Sequence, residues 1–158
     1  TITGAAAPYE AAVIVNDRPD LALMSHPAGV HVGQDDFPPA LARRLLGDDA
    51  IIGVSTHTPA QVETALREPI NYLAVGPVFA TRTKDTGYRA VGLEFVSAVA
   101  RMAGSVPVVA IGGITLENAP SVIAAGAASV AVIGDLLTLP DVRGRTRAYL
   151  QALVQHRV

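Results

Sequence analysis

The chain has 158 residues, half of them hydrophobic, a formal net charge of −2 and no cysteine. These values predict one globular domain over residues 1–158, and they exclude disulfide frameworks and thiolate metal sites. No basic face indicates a nucleic-acid partner, and no apolar run reaches the ~20 residues of a membrane span. We therefore expect a soluble cytoplasmic protein without nucleic-acid or membrane partners.

Short apolar runs, each followed by polar or glycine residues, predict the strands of a parallel sheet. The first ten residues are small and polar, with a proline at position 8, and they look like the tail of a preceding element rather than the start of a domain. The composition, rich in aliphatic residues and poor in aromatic ones, also favours parallel strands covered by helices. The six predicted strands are residues 13–15, 29–32, 51–54, 72–75, 106–111 and 129–133.

Between these strands, apolar residues recur at helical spacing and are followed by glycine. Thr58 and Gln61 form a capping box at the start of one such helix, with Pro59 at its first position. Helices are expected to stop at Gly47, Gly104 and Gly126. The chain therefore reads as a repeated βα unit, which closes either as a doubly wound sheet or as a barrel.

Two features favour the barrel. No predicted strand is followed by a Gly-x-Gly-x-x-Gly turn, which argues against a dinucleotide site. Glycines instead follow the last two strands, at Gly112-Gly113 and Gly134, where barrels often bind phosphate. We predict an α/β fold of the TIM (β/α)8-barrel type in which this chain supplies six of the eight βα units.

Polar residues follow several of the predicted strands, and the carboxyl ends of parallel strands meet on one face. Asp17 and Asp36 are paired hard-oxygen donors that suit Mg²⁺ with a phosphorylated substrate. The loop 76–84 adds hydroxyls and a lysine that could hold an anion. Simpler interpretations stay open, since Asn16-Asp17-Arg18-Pro19 is also a turn signal, Asp36 could cap a helix, and loops rich in Thr and Lys are common on surfaces.

Six short motifs occur in an order that resembles one known family. They are Val15-Asn16-Asp17-Arg18, Gly29-Val30-His31-Val32-Gly33-Gln34-Asp35-Asp36, Gly53-Val54-Ser55-Thr56-His57-Thr58, Gly76-Pro77-Val78-Phe79 through Thr81-x-Thr83-Lys84, Val91-Gly92-Leu93 and Ala110-Ile111-Gly112-Gly113-Ile114. Together they look like thiamin phosphate synthase, and the likeness spans nearly the whole chain. It covers the last six βα units of that family's barrel.

The resemblance implies a transferase that joins hydroxymethylpyrimidine diphosphate to thiazole phosphate with Mg²⁺, releasing pyrophosphate by a dissociative mechanism. Asp17 and Asp36 would hold the metal, and Lys84 would bind the leaving pyrophosphate. Asn16 would contact the diphosphate, and Ser55 would lie beside the reacting pyrimidine. The thiazole phosphate would be held by Thr81, Thr83, Gly113 and the turn at Ile133-Gly134.

Two departures from the family pattern leave alternatives open. Many members have serine near position 134, whereas this chain has Gly134 followed by Asp135, and an inward Asp135 would repel an anion. The first two βα units have no counterpart, so a further segment, a homo-oligomer or a partner would have to supply the missing strands. The alternative functions are a related thiazole tautomerase and a non-catalytic phospho-ligand binder. His31 and His57 are expected to make structural hydrogen bonds.

Overall fold

The computed structural model describes residues 1–81 and 87–154, in which short strands alternate with helices. The strands are β1 (Ile14–Asn16), β2 (Gly29–Val32), β3 (Ile51–Thr56), β4 (Tyr72–Val75), β5 (Val108–Ile111) and β6 (Ser129–Ala131). The helices are α1 (Ile2–Ala6), α2 (Pro19–Ser25), α3 (Pro39–Leu46), α4 (Pro59–Ala65), α5 (Gly92–Ala103), α6 (Ala119–Ala124), α7 (Gly134–Leu137) and α8 (Val142–Val154). The predicted α/β class and six predicted strands are confirmed.

The chain divides into two compact units, Thr1–Leu73 and Ala74–Val158. In the first unit, β1 pairs with β2 and β2 with β3, all parallel, with His31 of β2 opposite Asn16 on one side and Gly53 on the other. The branched side chains that parallel sheets favour form its core, and Val30 and Ile52 are completely buried.

In the second unit, β5 and β6 are parallel, with Ala110 opposite Val130. Val96 and Val99 come from one face of α5 and are fully buried, as is Val122 of α6. This is the helical spacing that the sequence predicts for a helix packed on a sheet.

Local sequence signals place the helix ends. The Thr58 hydroxyl accepts a hydrogen bond from the Gln61 amide at 3.3 Å, so Thr58 is the N-cap of α4, as predicted. The Gln61 side chain accepts from the His57 amide rather than from the cap residue itself. Gly47 and Gly104 follow α3 and α5 with φ of 85° and 58°, a conformation that glycine reaches without steric cost.

The structure differs from the sequence expectation at the N-terminus and at several strand ends, and β6, for example, ends at Ala131 rather than at residue 133. The expected tail contains α1, because the Thr1 hydroxyl accepts from the Gly4 amide and caps a short alanine-rich helix. Strand β5 begins at Val108 rather than Val106, since Pro107 has no amide to donate to a neighbouring strand. Within the described ranges, no helix is long and apolar enough to cross a membrane.

Candidate active site

The end of strand β2 organises the predicted site residues of the first unit. Asn16 ends β1 directly opposite His31, and the next residue, Asp17, donates its amide to the His31 carbonyl at 2.8 Å. Asp17 has φ of 63°, and the Arg18 amide bonds back to the Asn16 carbonyl across it. The turn signal is thus confirmed, and it holds a predicted metal ligand in a backbone conformation that is uncommon outside glycine.

The His31 side chain reaches two further strands. Its Nε2 lies 2.8 Å from the Ser55 hydroxyl on β3, and its Nδ1 lies 2.9 Å from the Tyr72 hydroxyl on β4. The His31 and Tyr72 rings are stacked, with centroids 5.5 Å apart and planes inclined by 22°. Burial raises the pKa of the Tyr72 phenol, so this group stays protonated at neutral pH. The structural hydrogen bonds expected of His31 are confirmed, and one of them ends on a predicted catalytic residue.

The loop after β2 holds Ser55 and Asp36 in place. Gln34 donates its side-chain amide to the Ser55 carbonyl at 2.6 Å, and the Asp36 carboxylate accepts from the Gly33 amide at 2.7 Å. Helix α3 begins at Pro39 with Pro38 as its N-cap, so the helix-cap interpretation of Asp36 is wrong. His31 of β2 therefore holds the Ser55 hydroxyl, and Gln34 of the loop after β2 holds the Ser55 carbonyl.

The donor set of the first unit suits a hard divalent cation. Asp17 and Asp36 offer carboxylate oxygens. The Asp17 amide donates to the carbonyl of His31 in β2, and the Asp36 carboxylate accepts from the amide of Gly33, the residue that follows β2. No group of three or more His, Asp or Glu side chains within residues 1–81 and 87–154 is arranged to hold a metal. The predicted site needs two carboxylates, with water and phosphate oxygens completing the shell.

Sequence reasoning missed Gln34 and Tyr72 as supports of the site. The contact between His31 and Ser55 follows from the strand register, which only the structure gives. Residues two apart on a strand face the same side, and His31 is opposite Gly53, so Ser55 shares the face of the strand that His31 approaches. No local sequence pattern predicts the contact between Tyr72 and His31, because the two residues lie 41 positions apart in the chain.

In the second unit, the loop that begins at Gly76 packs on the glycine turn after β5. The Val78 and Phe79 amides donate to the carbonyls of Ile111 and Gly112 at 2.9 and 3.0 Å. Gly113 has φ of 64°, and a Cβ on it would lie 2.6 Å from the Ala80 carbonyl oxygen. The predicted phosphate residue Gly113 is therefore in close contact with the backbone that leads into Thr81, which is partly exposed.

The two ends of this loop are joined. The Val91 amide donates to the Pro77 carbonyl at 2.8 Å, and the Gly92 amide donates to the Val78 carbonyl at 3.0 Å. Both Thr83 and Lys84, predicted to bind the two phosphate groups, lie outside the described residues.

The turn at Ile133-Gly134 begins α7, with Ile133 as its N-cap and 48% exposed. Asp135, the next residue, is tied to the turn after β5 by the Leu116 amide, 3.2 Å from its carboxylate. That turn is closed by Asn118, whose side-chain amide donates to the Gly113 carbonyl at 3.1 Å. Contacts through Leu116 and Asn118 thus connect the two predicted phosphate-binding turns.

Asp135 is not an unpaired charge. Arg145 of α8 donates to both of its oxygens at 2.9 Å, and the Tyr149 hydroxyl donates at 2.6 Å. The Arg145 guanidinium is the main reason that the pKa of the Asp135 carboxyl lies below its usual value. The repulsion of an anion expected from this residue is therefore offset within the protein.

The repeated βα units and the polar strand ends define an α/β protein of the class that places its chemistry at the carboxyl ends of parallel strands. A family model described as thiamine monophosphate synthase matches residues 1–136. The chain belongs to this family.

Two relatives named thiamine-phosphate synthase are closely similar. The protein of Koribacter versatilis is 49% identical over 148 residues, which cover 94% of this chain and 69% of that protein. The protein of Pelotomaculum thermopropionicum is 43% identical over 144 residues, covering 91% and 65%. Among solved structures, thiamine phosphate pyrophosphorylase from Pyrococcus furiosus matches with a TM-score of 0.88 and 31% identity, over 97% of this chain and 72% of that one. The chain spans about two thirds of the length of its curated relatives.

Proposed function

We propose that the chain carries out the thiamine-phosphate synthase reaction, joining hydroxymethylpyrimidine diphosphate to thiazole phosphate. The observation that carries this proposal is the arrangement around His31, which ties Asp17 and Ser55 to strand β2. The names of the relatives, at 43 to 49% identity, support the same activity. In the proposed reaction Asp17 would hold the metal and Ser55 would lie beside the pyrimidine. A common anchor on His31 would keep these two residues in a fixed arrangement.

The first step in the proposed reaction is loss of pyrophosphate. The bond from the pyrimidine methylene carbon to the diphosphate oxygen breaks, and its electron pair leaves with pyrophosphate. Asp17 and Asp36 would hold Mg²⁺, which when bound offsets charge on the diphosphate. Asn16 would contact the diphosphate, and Lys84 would meet the charge that grows on the leaving group.

The second step is capture of the pyrimidine methyl cation by the thiazole nitrogen, whose lone pair forms the new carbon–nitrogen bond. Ser55 would lie beside the pyrimidine during this step and orient the ring. The thiazole phosphate would be held by backbone amides and hydroxyls, because glycine turns let a phosphate approach the main chain closely. These residues are Thr81, Thr83, Gly113, Ile133 and Gly134.

We also propose that the six βα units belong to one domain of eight-unit barrel type. The family membership supports this, together with relatives that are longer than the 158 residues of this chain. A further segment, a second copy or a partner would supply the other two units. Co-expression of residues 1–158 with the remainder of the Koribacter versatilis relative tests this. We expect a stable complex with greater activity, and two chains that purify separately would contradict it.

The synthase proposal is tested with both substrates, Mg²⁺ and an assay for thiamin phosphate and pyrophosphate. We expect both products in equal amounts, and none when the metal is chelated. Asp17→Asn should lower the rate by about 10²–10³, the usual cost of losing one preorganised charge. Asp49→Asn is the matched control, because Asp49 is an exposed carboxylate that the proposed reaction does not use.

The two other functions predict different outcomes of the same assay. A tautomerase would convert a thiazole phosphate without metal and without pyrophosphate release. A phospho-ligand binder would retain thiazole phosphate and form no product. Either result with the intact protein would overturn the synthase proposal.

A further inference from the structure

Three side chains of the first unit form a continuous hydrogen-bonded chain across three strands. The Tyr72 hydroxyl contacts His31 Nδ1 at 2.9 Å, and His31 Nε2 contacts the Ser55 hydroxyl at 2.8 Å. The Ser55 carbonyl is separately held by Gln34. This hydrogen-bonded chain therefore ends at the Ser55 hydroxyl, and the Ser55 backbone is held in place. What is left to determine is whether the Ser55 O–H bond points toward His31 or away from it.

Gly53 is the residue that lets Tyr72 reach His31. It stands opposite His31 on the neighbouring strand, and a Cβ added to it would collide with the Tyr72 ring. The missing side chain opens the space in which the phenol stacks on the imidazole at 5.5 Å. The stacking and the hydrogen bond thus depend on one glycine in the middle of β3.

A neutral imidazole has one donor nitrogen and one acceptor nitrogen, so the chain must run in one of two directions. In the first, Tyr72 donates to Nδ1 of His31, and Nε2–H donates to Ser55. The Ser55 proton is then directed away from His31. In the second, Nδ1–H of His31 donates to the Tyr72 hydroxyl, and Ser55 donates its only proton to Nε2. Ser55 can then only accept a hydrogen bond from a ligand.

The Tyr72 hydroxyl decides between these directions. Its proton stays on the phenol because burial disfavours the charged form. Among the residues that the structure describes, His31 Nδ1 is the partner of this hydroxyl. A phenol is a stronger hydrogen-bond donor and a weaker acceptor than an aliphatic hydroxyl, so the first direction, in which Tyr72 donates to Nδ1 and Ser55 accepts from Nε2–H, is the more stable one.

We propose that Tyr72 and His31 are positioning residues which make Ser55 a hydrogen-bond donor toward the substrate, so that the site selects a pyrimidine ring presenting an acceptor atom there. The assignment of Ser55 to the pyrimidine rests on the proposed function. The direction of the hydrogen-bonded chain rests on the geometry of the first unit alone, and it can be measured without substrate.

The first experiment reads the His31 tautomer in the intact, ligand-free protein by ¹⁵N NMR of the imidazole nitrogens. The chain has four histidines, and the spectrum of His31→Gln assigns the His31 signals. We expect a protonated Nε2 and an unprotonated Nδ1. Protonation of Nδ1, whether alone or together with Nε2, would overturn the proposal.

The second experiment removes one hydroxyl and leaves the ring in place. Tyr72→Phe should lower kcat/KM for the pyrimidine diphosphate about fivefold, the usual effect of one neutral hydrogen bond, and leave the KM for thiazole phosphate unchanged. Tyr9→Phe makes the same chemical change at a residue that is 82% exposed and should have no effect. An unaltered kcat/KM in Tyr72→Phe would contradict the proposal.

A double-mutant cycle separates this role from general support of the fold. If Tyr72 acts through the Ser55 hydroxyl, Tyr72→Phe should have no further effect once Ser55→Ala is present. Equal losses in both backgrounds would show that Tyr72 acts by another route and would overturn the proposal. Wild-type protein without turnover would contradict the proposed function, and the tautomer measurement would then decide the direction of the chain by itself.

Discussion

Replacing Asp135 with asparagine removes the charge from a carboxylate that stabilises the start of α7. The two oxygens accept from Arg145 Nε and Nη2, from the Tyr149 hydroxyl and from the Leu116 amide, at 2.6 to 3.2 Å. The side chains of Asp135 and Arg145 are only 16% and 20% exposed. Water can therefore replace few of these contacts when the carboxylate is lost.

The expected cost follows from which contacts an asparagine can keep. Its oxygen can still accept from Tyr149 or from the amide, but the two-bond contact with Arg145 is lost. One charge-assisted contact in a mostly shielded place is worth about 2 kcal/mol. For a chain of this length, that corresponds to a fall in Tm of about 4–8 °C. The assay is thermal unfolding followed by circular dichroism.

Asp20→Asn is the matched control. It also breaks an Asp–Arg pair, with Arg18 at 2.6 Å, but those side chains are 58% and 60% exposed and the pair should contribute little. If Asp135→Asn and Asp20→Asn melted at the same temperature, the stabilising role of the Asp135 contacts would be refuted.

The Asp135 contribution should also depend on pH. Because Arg145 lowers the pKa of Asp135 in the folded protein, the contribution is complete above the ordinary Asp pKa and is lost as pH falls through the folded value. The difference in Tm between wild type and Asp135→Asn should therefore be constant above about pH 5 and narrow below about pH 4. A difference that widened in acid would contradict this sign.

Three further predictions concern stability and the anion-binding loop. Arg43→Met should lower Tm by several degrees relative to Arg44→Met on the same helix, since Arg43 donates to the Ala50 carbonyl and the Asn71 side chain at 2.6 Å; equal melting would refute it. Gly113→Ala should destabilise more than Gly104→Ala, because both have positive φ but only the first would collide with backbone; equal losses would exclude crowding as the cause. Lys84 is the only lysine of the sequence. Acetylation removes its charge and should abolish synthase activity, whereas dimethylation keeps the charge and should not. The reverse order of the two effects would contradict the role of Lys84.

Local patterns predicted most of the secondary structure. Runs of branched residues marked the six strands, and Thr58 with Gln61 marked a helix start, because these signals act through neighbours in the chain. The helix at the N-terminus was missed, since five residues after a capping threonine carry too little periodicity to distinguish from a tail. The start of β5 at Val108 depends on Pro107. This proline lies within an apolar run, and the run by itself predicts a strand that begins two residues earlier.

The amino-acid sequence by itself determined the βα repeat, the family and the residue types that could hold a metal and phosphates. The tertiary structure decided what those residues touch. His31, expected to be structural, joins Tyr72 to Ser55, and Asp135, expected to repel an anion, is neutralised by Arg145. The physical reason is that these contacts arise from strand register and helix packing, which bring together residues far apart in the chain, whereas sequence patterns report only on close neighbours.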